Sequence, residues 1–393
     1  MKYNCILIKF GEIGVKGSFA RRRMQSMLAR NIEEALNESG FNSATVKVLP
    51  GRILVEGISE DGKEAFIISK VFGVTGVSRA IEGEYSNLED LVAKAAEIAE
   101  EEVKGKVFMV RGRRAEENRF TSKDIERALG AELLNRGALK VNLENPEVTV
   151  WVEARKGKFF IYTENIRGPG GLPLGTEGKI VSLVSGGFDS PVAAWMLMKR
   201  GAKVDIAFFN IGGKEQKEKF LDTVKSLVCN WCFGYSPKIF IVEHRWVFPY
   251  LEKFPESFRT VALKASMYIG AEAIAEKEGA KAIATGESLA QVSSQTLDNL
   301  YATEQFINIP VLRPLIGMDK EEIIELSRRI GTYGPSSKMI EFCAIAGQRA
   351  STSVDARRLL MLFSKNLPID EIKSQVLSNI TLMKKEDLCR MGP

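Results

Sequence analysis

The chain opens on a short apolar run, Cys5 to Phe10, interrupted by Lys9. It is too short to cross a membrane and reads as a β-strand. Over residues 18–38 the apolar period changes: Phe19, Met24, Leu28, Ile32 and Leu36 share one helical stripe, and Gly40 supplies a terminator. Residues 44–49 and 52–55 read as strands again. Residues 1–60 are therefore expected to form a small α+β domain.

The stretch 61–165 mixes elements without strict alternation. Helices are predicted over 62–72, 88–103 and 121–136, the last opened by Thr121 or Ser122. Strands are predicted over 77–82 and 107–111, with TVWVEAR and FFIYTE as a pair. This pattern is α+β. Residues 166–178 are rich in Gly and Pro and read as a linker. From 179 to 393 the pattern becomes repeated strand–helix units: KIVSLVS and a helix, KVDIAFFN and a helix over 214–228, KIFIVEH, a helix over 259–278, then KAIAT. A parallel α/β sheet with helices on both faces is expected, followed by a mainly helical 320–393.

A chain of 393 residues with 45% hydrophobic content can build several cores and is not disordered. No secretory signal, stop-transfer segment or lipidation motif is present, so a membrane role is excluded and a cytoplasmic location is expected. Net charge is only +5, but it is uneven. Residues 1–30 carry seven Lys/Arg against the single acid Glu12. A second basic cluster holds Arg111, Arg113, Arg114 and Arg119. Lys16, Arg21, Arg22, Arg23, Arg111 and Arg113 are candidate contacts to a polyanion such as RNA. A merely solvated face would carry the same charges.

The strongest chemical motif is Ser185-Gly186-Gly187-Phe188-Asp189-Ser190, between the strand IVSLV and the helix PVAAWMLMKR. Two glycines permit close backbone approach, and the following helix N-terminus favours an anion. Ser185 and Ser190 add hydroxyls, and Pro191 suits the first helical turn. Asp189 makes sense in an anion loop if Mg²⁺ bridges its carboxylate to phosphate. No Gly-x-x-x-x-Gly-Lys-Ser/Thr motif occurs, so the loop is not of the Walker type. Thr285-Gly286-Glu287-Ser288 follows the strand KAIAT, where α/β sheets bind ligands. The only histidine, His244, cannot build a multi-histidine metal site and reads as structural.

The Ser185–Ser190 loop resembles the pyrophosphate loop of the ATP pyrophosphatase superfamily, whose members split ATP between the α and β phosphates. Four ordered segments resemble the tRNA 4-thiouridine synthetase family, ThiI: IKFGEIGVKG, GPGGLPLGTEG, TGESLAQVSSQTLDNL and VLRPLIGMDKEEII. The stretches VFGVTGVSRA, FTSKDIERALGAELL and VNLENPEVTVWVEAR are similar to a THUMP domain. The resemblance implies a ferredoxin-like domain over 1–60, a THUMP RNA-binding domain over 61–165 and a pyrophosphatase domain over 179–393. It implies ATP contacts at Leu183, Val184, Ser185, Gly186, Gly187, Asp189, Ser190, Phe208, Phe209, Lys264, Gly286 and Gln295. Lys320 matches a family lysine that acts on the target uridine, which in the family is uridine 8 of tRNA.

The cysteines are Cys5, Cys229, Cys232, Cys343 and Cys389. An odd count in a cytosolic chain argues against a disulfide framework. Cys5 reads as core and Cys389 as incidental. Cys229-Asn230-Trp231-Cys232 has the bite for zinc, an iron–sulfur cluster or a redox disulfide. Many bacterial family members carry a rhodanese domain whose cysteine holds a persulfide; none is seen here, so sulfur is expected by another route. Similar rhodanese-free members pair a CxxC with a distant cysteine. Cys229, Cys232 and Cys343 are accordingly expected to converge on a 4Fe–4S or 3Fe–4S cluster, the alternatives being buried free thiols, a catalytic disulfide between Cys343 and one of the pair, or a Cys343 persulfide.

The expected activity is ATP-dependent thiolation of a tRNA uridine, with sulfide or a persulfide carrier as donor and a homodimer compatible with the reading. The rivals are an RNA-binding protein with an inactive nucleotide domain and a small-molecule ligase of the same superfamily. A role in thiamine thiazole synthesis goes with the rhodanese domain and fits less well.

Overall fold

The computed structural model describes residues 1–115, 120–338 and 351–391. The chain divides into two units, Met1–Pro173 and Leu174–Pro393. In chain order the first holds β1 (Cys5–Phe10), α1 (Ser18–Glu38), β2 (Thr45–Leu49), β3 (Arg52–Glu56), α2 (Lys63–Ile68), β4 (Val74–Glu84) and α3 (Leu88–Val103). There follow β5 (Val107–Arg114), α4 (Ser122–Asn135), β6 (Lys140–Val141), β7 (Val148–Arg155), β8 (Lys158–Tyr162) and β9 (Ile166–Arg167). Its sheet runs β2-β3-β1-β4-β8-β7-β5-β6, with β9 also on β4.

β4 joins the two halves of this sheet. Its first part pairs with β1, and Ile81–Glu84 pair with β8. Beyond this junction Leu91, Ala95, Ala99, Ile125, Leu129 and Leu133 of α3 and α4 bury Phe108, Val110, Val150, Val152, Phe159 and Ile161. α4 starts where predicted, because Thr121 and Asp124 form a capping box. Glu153 is a deeply buried carboxylate that lies 2.9 Å from Arg52 and 2.6 Å from Arg155. Two cations offset its desolvation, which would otherwise be prohibitive.

The second unit holds β10 (Glu177–Leu183), α5 (Asp189–Lys199), β11 (Ala202–Asn210), α6 (Lys214–Trp231), β12 (Lys238–Glu243), α7 (Phe248–Leu251), α8 (Glu256–Glu278) and β13 (Ile283–Ala284). After these come α9 (Leu297–Glu304), β14 (Val311–Leu312), α10 (Lys320–Ile330), α11 (Tyr333–Ser336), α12 (Ala356–Asn366), α13 (Ile369–Ser378), β15 (Ile380–Lys384) and α14 (Lys385–Arg390). The sheet order is β14-β13-β10-β11-β12-β15. All neighbours are parallel except β15, which returns antiparallel on β12. Adjacent strand residues point to opposite faces. Phe208 therefore stacks on Phe220 of α6, with centroids 4.0 Å apart, while Phe209 joins the core under α8. Helices cover both faces as expected. Among the described residues no helix is long and apolar enough to cross a membrane.

His244 follows β12 and is fully buried. Its Nε2 lies 2.9 Å from Ser266 Oγ, and the rings of Phe209 and Trp246 flank it at 5.1 Å. Burial pushes its pKa down to about 3. Unfolded, it titrates at about 6.5. Between these values the unfolded chain binds a proton that the native one refuses, so stability falls as pH falls through this window. The slope is about 1.4 kcal/mol per pH unit. Denaturant titrations from pH 6.5 to 5 should show that slope component in the parent chain and not in His244→Gln.

Candidate active site

β10 ends at the half-buried Leu183, and Val184 N–H donates to Ala207 O at 2.9 Å, continuing the ladder. The chain then turns through Ser185–Phe188 into α5. Gly186 takes φ +90°, a left-handed conformation that favours glycine. Ser190 Oγ accepts the Ser185 N–H at 3.0 Å and lies 3.3 Å from Ser185 Oγ, so the last residue of the motif clamps the first. Thr223 Oγ1 donates to Gly186 O at 3.2 Å, and Ser336 Oγ to Gly187 O at 3.3 Å. The carbonyls of both glycines are thus engaged. The first amides of α5 have no intrahelical acceptor, so donors gather at this turn.

Asp189 stands at the first position of α5. Its Oδ1 accepts from Lys320 Nζ at 2.7 Å and its Oδ2 from Gln291 Nε2 at 2.9 Å. Lys320 opens α10, where Asp319 and Glu322 form a capping box. The ammonium also sits 5.5 Å from the Phe188 ring centroid. Asp189 and Lys320, 131 residues apart in sequence, thus meet in a pairing that the sequence did not suggest.

The loop after β13 abuts the same turn. A Cβ on Gly286 would lie 2.5 Å from Ser190 N. Glu287 points inward and is buried. Its Oε1 accepts from Lys264 Nζ at 3.1 Å, and its Oε2 accepts from Thr285 Oγ1 at 3.0 Å, Arg313 Nε at 2.9 Å and the Tyr268 hydroxyl. Burial alone would raise the Glu287 pKa, but Lys264 and Arg313 outweigh it and hold the carboxyl at about 2. Gln295 is buried, and the Oε1 atoms of Gln291 and Gln295 have no hydrogen-bond partner among the described residues. Such acceptors await a donor from elsewhere.

Of the expected nucleotide positions, Leu183 ends β10, Val184–Gly187 form the turn, Asp189 and Ser190 open α5, Gly286 and Gln295 follow β13, and Lys264 reaches this region from within α8 through Glu287. Phe208 and Phe209 differ: both side chains are buried in core layers, so these positions can offer a ligand only backbone. Tyr268 and Arg313 were not legible as members of this cluster. The one available signal for Tyr268 is its i,i+4 spacing from Lys264 on α8.

In the first unit Arg21, Arg22 and Arg23 are exposed in α1, whose first turn carries no acid. Arg21 closes the first turn, where a cation opposes the helix dipole by roughly 0.3–1 kcal/mol, and Arg22 and Arg23 lie beyond it. Their placement does not serve the helix. Val15 and Phe19 beside them are 85% and 81% exposed, an apolar edge on a basic surface. Lys16 lies 4.0 Å from Glu12. Arg111 is half-buried on β5, and Arg113 is exposed with its guanidinium 3.7 Å from Glu153.

Three family descriptions match in order along the chain. A ThiI ferredoxin-like domain matches residues 5–78, a THUMP domain 85–164, and Thiamine biosynthesis protein (ThiI) 175–361. A probable tRNA sulfurtransferase of Aeropyrum pernix is 44% identical over 348 residues, 88% of each chain. Another from Saccharolobus islandicus is 44% identical over 373 residues, 94% of this chain and 96% of that protein. A solved structure described as a 4-thiouridine synthetase–RNA complex with bound ATP superposes with a TM-score of 0.83. It is 28% identical, over 97% of this chain and 99% of that one.

The cysteines depart from expectation. Cys229, near the end of α6, is disulfide-bonded to Cys389 in α14, with Cα atoms 5.8 Å apart. Cys389 is therefore not incidental, and the odd cysteine count did not exclude a bridge. The reason lies in β15, whose pairing with β12 brings the end of the described chain back beside α6. Lys385 Nζ donates to Cys232 O at 2.7 Å, and Lys225 Nζ to Met391 O. Cys232 is a buried thiol with Sγ 3.7 Å from Met198 Sδ. Cys5 is buried as predicted, and desolvation pushes its thiol up to about 12. Cys343 lies outside the described residues. Among the described residues no group of three His, Cys, Asp or Glu could hold a metal ion. Alkylation of denatured, unreduced protein should leave Cys229 and Cys389 unlabelled and yield one cross-linked peptide pair. Cys389→Ser should lower the unfolding free energy by about 2–4 kcal/mol in denaturant titration.

Proposed function

The chain belongs to the tRNA sulfurtransferase (ThiI) family, and we propose that it uses ATP to exchange the O4 of a tRNA uridine, uridine 8 by resemblance, for sulfur. The observation that carries this is the Asp189–Lys320 pair at 2.7 Å on the first turn of α5. It joins the phosphate loop to the segment that would meet the uridine.

In this reading the Ser185–Ser190 loop and the start of α5 hold the phosphates by backbone donors. Lys264 supplies positive charge from α8, and the buried acceptors of Gln291 and Gln295 face the nucleotide. Mg²⁺ fits Asp189, because a carboxylate is a hard oxygen donor and phosphate oxygens normally complete such a site. When bound it would neutralise charge on the phosphates. The O4 of uridine attacks the α-phosphorus and pyrophosphate leaves. Carbonyl oxygen, a poor leaving group, becomes adenylate. Sulfide then attacks C4 and AMP departs; where a persulfide carrier is the donor, its terminal sulfur bonds to C4 as AMP leaves, and a second thiol then cleaves the S–S bond, releasing the thiouridine and leaving a carrier disulfide that an external dithiol must reduce. Lys320 stands where it could stabilise negative charge on the uridine or phosphate.

An iron–sulfur cluster does not fit the cysteines as they stand, since Cys229 is bonded to Cys389. No step is drawn through one. Cys343 keeps its place in the proposal as the candidate sulfur-carrying thiol. Residues 1–60 and 61–165 would bind the tRNA by shape and phosphate contacts, with Lys16, Arg21, Arg22, Arg23, Arg111 and Arg113 as the cations.

The test is nucleoside mass spectrometry of tRNA incubated with protein, ATP, Mg²⁺ and sulfide. 4-Thiouridine should appear with matching AMP and pyrophosphate; tRNA binding without AMP release would mark an inactive RNA-binding protein instead. Asp189→Ala should lower kcat/KM for thiolation by roughly 100-fold or more, with tRNA affinity unchanged. Replacing Arg21, Arg22 and Arg23 together by Gln should weaken tRNA binding and flatten its log–log salt slope by about 0.7–0.9 for each phosphate left without its cation. An unchanged slope would mean that these arginines only face solvent.

A further inference from the structure

The buried polar centre of the second unit is not the phosphate loop but Glu287. It accepts from four side chains on three segments: Lys264 and Tyr268 of α8, Thr285 of its own loop, and Arg313 just after β14. Its neighbours extend the ties. Gly286 packs on the backbone of Ser190. Ser288 Oγ donates to Met318 O at 2.7 Å, two residues before Lys320. Arg313 reaches on to Glu304 and to the Tyr268 hydroxyl. Residues 285–288 thus touch every segment that carries a proposed ATP-facing cation or the loop itself.

The charges are arranged unequally. Arg313 has a second carboxylate in Glu304, so it stays compensated if Glu287 is replaced. Lys264 has one ion-pair partner among the described residues, and that is Glu287. An ammonium has three donors. One is used on Oε1 of Glu287, which leaves two for a polyanion. A carboxylate here aims Lys264 while leaving it half-committed. An isolated buried ammonium would relax toward water instead.

We propose that Glu287 is a positioning residue for ATP: it touches no phosphate, but holds Lys264 against the Ser185–Ser190 loop. This rests on the reading of the site as an ATP site and adds the group that sets its geometry. A carboxylate kept only for stability is a weak alternative, because buried ion pairs seldom outperform apolar packing.

The experiment is a double-mutant cycle on the full chain, reading AMP formation with tRNA and sulfide. Glu287→Gln keeps the shape and an acceptor but removes the charge. It should raise KM for ATP roughly tenfold, and Lys264→Ala should do so similarly. The double variant should be no worse than Lys264→Ala. Should Glu287→Gln fail to fold, Tyr268→Phe removes one donor to the carboxylate and nothing from the ligand side. It should raise KM for ATP roughly two- to fivefold in the parent chain and leave it unchanged in the Lys264→Ala background. Equal effects with and without Lys264, or no effect of Glu287→Gln, overturn the proposal and assign Glu287 to the core. A parent chain that forms no AMP would instead overturn the ATP reading itself.

Discussion

The second unit depends on a close approach that only glycine permits. A side chain on Gly286 would place its Cβ 2.5 Å from Ser190 N and 2.6 Å from Ser190 Cα, both rigid backbone atoms at the start of α5. The parallel sheet creates the opportunity, because β10 and β13 are neighbours and their loops leave at the same edge. The glycine turns that nearness into touch. Once the loop meets α5, the residues around it have set directions: Thr285 and Glu287 toward α8, Ser288 toward the segment before α10. The Ser185–Ser190 turn, the buried Glu287 carboxylate and Lys320 are then parts of one rigid arrangement. Preorganisation of this kind is what charge-stabilising catalysis requires.

The two units handle charge in opposite ways. In the first, the buried Glu153 is matched by Arg52 and Arg155, so folding makes no demand on the arginines of α1. Arg21, Arg22 and Arg23 are exposed early in α1, beside an exposed Phe19. In the second unit the cations face inward onto Asp189 and Glu287, and an incoming polyanion meets charges that are already aimed.

Much of the fold was legible because strong periods came with matching ends. The stripe Met24, Leu28, Ile32 and Leu36 is the buried face of α1, although Phe19, expected on the same stripe, is exposed; Thr121 with Asp124 opens α4. β15 was not legible: within a mainly helical tail, ITLMK becomes a strand only by pairing with β12. β4 reads as a short strand until β8 extends it. The Ser185–Ser190 turn was readable as a turn because it is local, six consecutive residues between a strand and a helix. The Glu287 cluster was not, because Tyr268 and Arg313 are ordinary residues until folding sets them on one carboxylate. Phe208 and Phe209 show what adjacency in sequence hides. As neighbours they seem to mark a single ligand-facing pair, yet strand geometry sends them to opposite core layers.

The cysteines carry that lesson furthest. A CxxC spacing is compatible with zinc, an iron–sulfur cluster or a disulfide, and spacing alone cannot choose. The choice depends on which other sulfur arrives, and that is decided by backbone pairing far away. β15 lies on β12, α14 follows it, and Cys389 lands against Cys229 across a separation of 160 residues. A sulfur bonded to a second sulfur offers no thiolate to a metal or a nucleophilic reaction. Cys229 can therefore join Cys232 in any thiolate chemistry only after two electrons and two protons reduce the bridge to thiols. The same bond that closes the end of the chain onto α6 determines whether the CxxC pair is chemically available.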